Sequence, residues 1–264
     1  MPVPVTNETL VHQGQPRRYL LARPEAPATG IVLSMHGSTS TPEDQLRLSA
    51  MVRLAEEHGA AVAFPEGRLP GRRGFRWDLE GDAEFLAALA TELVTLYPDA
   101  PRRVCASGMS GGARMACALG AARPDLVAAV GAVAGLRSFP RAPGSRPVPV
   151  LAFHGLADRI NPYAGHSRAE WTASVPEAAA AWALANGLAG GPVTDTLSRA
   201  VSRSRWGDAG APDEVVLYTV ARAGHTWPGS RPNGLIRLFL GRTSRELDAT
   251  GDIWTFFQSH LGDP

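Results

Sequence analysis

Short apolar runs rich in β-branched residues alternate along the chain with segments whose apolar positions recur at helical spacing. An opening hairpin is expected near Thr9–His12 and Arg17–Leu21, followed by a strong central strand at Ile31–Met35. Thr41-Pro42-Glu43 places a capping hydroxyl ahead of a proline at the first helical position, so a helix should run to about His58 and stop at Gly59. A strand at Ala61–Phe64 leads into 65–77, rich in Gly, Pro and Arg and without period, which reads as a long irregular loop. A helix is expected from about Asp82 to Tyr97, a strand at Arg103–Ala106 and a helix at Ala113–Ala122. Further strands are expected at Val127–Val133, Val148–Phe153 and Glu214–Val220, with helices at about Pro176–Asn186 and Asp252–His260. This alternation predicts the α/β class, a mostly parallel central sheet with helices on both faces, with residues 1–264 forming one domain.

Composition narrows the chemistry. A chain of 264 residues that is 44% hydrophobic and 19% charged is globular rather than disordered. The 26 basic and 25 acidic residues leave a net charge of +1, so no overall field gathers polyanions, and nucleic-acid binding is not expected. Every basic residue is Arg, which removes the enzyme classes that need a lysine amine. Cys105 and Cys117 are too few for a disulfide framework or a cysteine-based zinc site, and no metal or other cofactor is expected. The first residues lack a basic segment followed by an apolar run, and no long apolar stretch follows, so a cytoplasmic location without membrane contact is expected.

The sharpest chemical signal is Gly108-Met109-Ser110-Gly111-Gly112, which fits G-x-S-x-G between a buried strand and a helix rich in small residues. That turn presents a serine hydroxyl at the end of a strand, making Ser110 the candidate nucleophile. A hydroxyl is weakly nucleophilic at neutral pH and needs a histidine base, itself oriented by a carboxylate. In folds built around this turn the chain order is Ser, acid, His. His12, His36 and His58 precede Ser110, and His154 comes directly off a strand with no strand-borne acid before it. His260 sits among Phe256, Phe257 and Leu261, where packing accounts for it. His225, beyond the strand ending at Val220, is the expected base, with His166 as runner-up. Asp158 lies on the loop after the preceding strand and is the expected orienting acid, with Asp195 and Asp213 as weaker substitutes. The oxyanion hole should combine the amide of Gly111 with one from the loop after Ile31–Met35, Ser38 first and Thr39 next, with His36 bracing that loop.

These residues, with Met35-His36-Gly37, Phe64-Pro65-Glu66-Gly67, His154-Gly155-Leu156-Ala157-Asp158 and Gly224-His225-Thr226-Trp227-Pro228-Gly229, resemble the polyhydroxybutyrate depolymerase and feruloyl esterase-like group of the α/β-hydrolase superfamily, related to carbohydrate esterase family 1. The resemblance covers nearly the whole chain. It implies an α/β-hydrolase fold, hydrolysis of short acyl, hydroxyalkanoate or hydroxycinnamoyl esters through an acyl-enzyme, and the same Ser110, Asp158 and His225. It further implies that Trp77 and Trp227 line the substrate pocket. Acyl transfer by the same triad is the alternative activity, and a non-catalytic binding protein of this fold is the alternative from another class. Secreted relatives commonly carry Cys after the first His-Gly and after the Asn-Gly closing the later helix, where this chain has Ser38 and Leu188.

Overall fold

The computed structural model describes residues 3–25, 27–167, 171–231 and 239–262. Among them, strands β1 (Val5–His12), β2 (Gln15–Ala22), β3 (Ile31–Met35), β4 (Ala61–Pro65), β7 (Val104–Met109), β8 (Val127–Val133), β9 (Val150–Gly155), β10 (Val193–Thr196), β11 (Val201–Trp206) and β12 (Val215–Val220) form one sheet. Its order is β1-β2-β4-β3-β7-β8-β9-β12-β11-β10. The interior, from β4 to β12, is parallel, and each edge is finished by an antiparallel pair. Parallel strands need crossovers, which is why the apolar runs are separated by helices and buried on both faces. β5 (Leu69–Pro70) and β6 (Phe75–Arg76) make a small separate hairpin within the irregular loop.

Alternate residues of each interior strand feed opposite layers. Ile31, Leu33 and Met35 of β3 pack in the layer that holds Phe85 and Leu89 of α3 (Gly81–Leu96), Met115 and Leu119 of α4 (Gly111–Ala122), and Trp182 of α5 (Val175–Ala185). Val32 points into the other layer, with Met51, with Leu54 of α2 (Val52–His58), and with Ile253, Trp254 and Phe257 of α6 (Ala249–Gln258). A fully buried Leu or Phe contributes roughly 1.5–3 kcal/mol, so the two layers supply the main driving force for closure. No helix among the described residues is long and apolar enough to cross a membrane.

Two features depart from the sequence pattern. The helix expected to run unbroken to His58 is split into α1 (Pro42–Ser49) and α2, with Ala50 in the left-handed region at φ 50°. Ser49 donates through its hydroxyl to the Gln45 carbonyl and accepts from the Met51 amide, so it caps the first piece and lets Met51 turn fully into the core. The antiparallel pair β10–β11 carries little apolar periodicity. Cross-strand polar contacts hold it instead, among them Arg203–Asp195 at 2.7 Å and Thr194–Ser204 at 2.9 Å.

Candidate active site

Ser110 stands between β7 and α4 with φ 56° and ψ −117°, a backbone conformation that a non-glycine residue adopts only where its surroundings enforce it. Those surroundings are tight packing of the turn against β3. A Cβ on Gly112 would lie 2.1 Å from the Met35 carbonyl oxygen, and one on Gly108 would lie 2.7 Å from the same atom. The glycines of the motif are therefore required by close approach of backbone to backbone. Gly112→Ala should cost about 3 kcal/mol or more, because α4 would have to leave β3. Urea denaturation checks this, and an unchanged midpoint would contradict the packing.

Asp158 and His225 come from the carboxyl ends of β9 and β12, the same edge of the sheet that carries Ser110 at the end of β7. Both are buried, and His225 Nδ1–H donates to Asp158 Oδ2 at 2.7 Å. The amides of Ile160 and Asn161 each donate to Asp158 Oδ1 at 2.9 Å. Burial on its own raises the Asp158 carboxyl, but the hydrogen bonds from His154 and His225 outweigh it and hold the group well below the usual carboxylate range. An ionised acid at this position fixes the tautomer that leaves His225 Nε2 as a proton acceptor. His225, rather than the exposed His166, is thus the imidazole paired with Asp158. Asp195 is instead tied to Arg203 on the edge strand. Among the described residues the Ser110 hydroxyl makes no hydrogen bond to His225; such contacts often tighten only when substrate is bound.

The loop after β3 lies directly against the serine turn. A Cβ on Gly37 would sit 3.7 Å from Ser110 Cβ, and one on Gly111 would sit 3.1 Å from the Ser38 amide nitrogen. The loop after β3 thus packs closely against the serine turn, with Ser38 beside Gly111. The Thr39 amide donates to the Phe75 carbonyl at 2.8 Å and is occupied. His36 is fully buried, donates through Nδ1–H to the Gly37 carbonyl at 2.8 Å and accepts at Nε2 from the Gly67 amide at 3.1 Å. Burial lowers its pKa, so the neutral ring that makes both bonds is favoured.

Both tryptophans expected to line the pocket are buried in the structure. Trp227 is 1% exposed in the layer with α6, and its indole N–H donates to Thr250. Trp77 is 9% exposed, lies tilted against the His36 ring with centroids 4.7 Å apart, and donates to the His36 carbonyl at 2.7 Å. Both indole N–H groups have partners inside the protein, and aromatic loops near a site look alike in sequence whether the ring faces substrate or core.

Over an alignment of 277 positions, gaps included, the chain is 31% identical to "Putative esterase NocK" of Nocardia uniformis subsp. tsuyamanensis, with 92% of this chain and 79% of that protein covered. The chain belongs to this esterase family. It is a carboxylic ester hydrolase with the α/β-hydrolase fold, in the group that its motifs resemble. The esterase is also 27% identical over 140 residues to "Bifunctional acetylxylan esterase/xylanase XynS20E" of Neocallimastix patriciarum, a match spanning 52% of this chain and 20% of that protein. Its fold superposes on the acetyl xylan esterase from Aspergillus awamori with a TM-score of 0.65 at 18% identity, over 89% of this chain and 99% of that one. No protein-family model matches the chain.

Sequence reasoning missed the clamp around the acid of this esterase. His154 is buried, donates through Nε2–H to the Asn161 carbonyl at 2.8 Å and lies 3.4 Å from Asp158 Oδ2. Asn161 in turn donates through its side chain to the Ala134 carbonyl, at the end of β8. Leu156 and Ile160, on either side of Asp158, are 51% and 41% exposed and give this loop an apolar rim. The spacing His154-x-x-x-Asp158 was visible, but only the turn brings the two side chains together.

Proposed function

We propose that the esterase works through an acyl-enzyme, with Ser110 as nucleophile, His225 as general base and then general acid, and Asp158 as the orienting carboxylate. The observation that carries this reading is the buried 2.7 Å hydrogen bond from His225 to Asp158 at the sheet edge that presents Ser110. His225 takes the Ser110 proton as Oγ attacks the ester carbonyl, and the amides of Gly111 and Ser38 donate to the developing oxyanion. The protonated imidazole gives its proton to the departing alcohol. Water, deprotonated by the same ring, then attacks the acyl-enzyme and releases the acid and free Ser110.

The substrates proposed are short acyl esters, acetyl esters first. The acetylxylan esterase named among the relatives supports the acyl group. The exposed Leu156 and Ile160 beside Asp158 offer an apolar rim against which a short acyl group can rest. A fluorophosphonate probe should add once per chain, with peptide mapping placing it on Ser110. Among p-nitrophenyl esters, kcat/KM should be highest for acetate and fall towards octanoate. Labelling elsewhere would overturn the nucleophile, and a preference for octanoate or a feruloyl ester would overturn the acyl class.

A further inference from the structure

Although the whole chain is nearly neutral, its positive charge is unevenly placed. Many arginines are matched by carboxylates, as in Arg17–Asp82, Arg23–Glu8, Arg123–Asp125 and Arg203–Asp195. Five others, Arg199, Arg222, Arg231, Arg242 and Arg245, line one pocket of about 670 Å³, and among the described residues none of them has an ion-pair partner. The single carboxylate in that lining, Glu246, is already hydrogen-bonded to Ser198. Like charges brought together in this way repel one another unless a counter-charge joins them.

Two features of the surrounding wall show how it is built. The hydroxyls of Ser230 and Thr243, both in the lining, are buried without a hydrogen-bond partner. Buried polar groups of this kind ordinarily have one. Arg222 is held at φ 60°, a left-handed conformation that costs a side-chain-bearing residue energy and is concentrated where structure serves binding. It directs the turn after β12 into the pocket wall. Guanidinium groups present planar forks of donors that match phosphate and carboxylate oxygens two at a time. The volume lies within the roughly 300–1,000 Å³ of small-molecule sites.

We propose that this pocket binds a small multivalent oxyanion, a molecule carrying at least two phosphate or carboxylate groups. It backs onto the segment that carries His225, since the Arg242 carbonyl accepts from the Gly224 amide. Binding at the pocket is nevertheless independent of the reaction proposed for Ser110, and it is read without ester turnover.

The test is calorimetric titration of the full chain with sodium pyrophosphate and with citrate, at ionic strength held constant with sodium chloride. At least one should bind saturably below about 10 mM, the tighter of the two showing whether phosphate or carboxylate is preferred. Arg222→Gln with Arg245→Gln should weaken that binding about tenfold or more, the loss expected when charge-assisted contacts are removed. Arg102→Gln with Arg146→Gln, which removes the same charge from exposed positions outside the pocket lining, should leave it unchanged. No saturable binding of either probe, or equal weakening by both double variants, would overturn the proposal.

Discussion

Ser110→Ala is expected to fold as the parent does and to lose p-nitrophenyl acetate turnover by about 10⁴-fold or more, the scale seen when a nucleophile is removed from a working triad. The fold should survive because the Ser110 hydroxyl contributes no hydrogen bond among the described residues. The turn is held by its backbone, through the Ser110 amide to the Val133 carbonyl at 2.8 Å and the Arg114 amide to the Ser110 carbonyl at 3.0 Å. Initial rates together with a thermal melt separate the two effects. A variant that melts normally and retains activity within tenfold of the parent would remove Ser110 from the chemistry. One that fails to melt cooperatively would show that the strained turn depends on the hydroxyl.

Asp158→Asn should reduce kcat by about 10⁴-fold, since an amide in place of the carboxylate no longer selects the His225 tautomer that can accept the serine proton. The same substitution should change how stability depends on pH. Although burial raises it, the folded Asp158 carboxyl is held below its ordinary value by His154 and His225, whereas in the unfolded chain it titrates near 3.9. The unfolded state therefore binds the proton more readily, so the stabilisation is present above about pH 4 and is lost as the pH falls below it. The melting temperature of the parent should consequently fall more steeply between pH 5 and pH 3, to be read by circular dichroism, than that of the Asn variant. Parallel curves would mean that the buried pair contributes nothing to acid sensitivity.

The contrast between net and local charge shows where composition misleads. A formal charge of +1 argues against binding of nucleic acid along an extended surface. It carries no information about whether five arginines from four separate stretches of chain meet at one pocket, as they do outboard of His225. A sum over residues discards position, and electrostatic recognition depends on position.

What the sequence determined by itself is local or ordered along the chain. Buried parallel strands are continuous apolar runs, so β3, β4, β8, β9 and β12 were legible to within a residue or two, while β7 runs three residues further than expected, to Met109. The serine turn was legible because its glycines answer a contact made within that short segment and its neighbouring strand. Chain order then pointed to Asp158 and His225, because strand ends in such a sheet converge on one edge. Tertiary structure alone decided features that rest on distant partners. Ser49 splits a helix that propensity would continue, because Met51 is wanted in the core. Polar cross-strand pairs make β10–β11 a sheet edge without an apolar pattern, and Thr250 turns Trp227 inward. Hydrogen bonds and close packing act over a few ångströms, so a residue's role is readable from sequence only when the chain itself brings its partners that close.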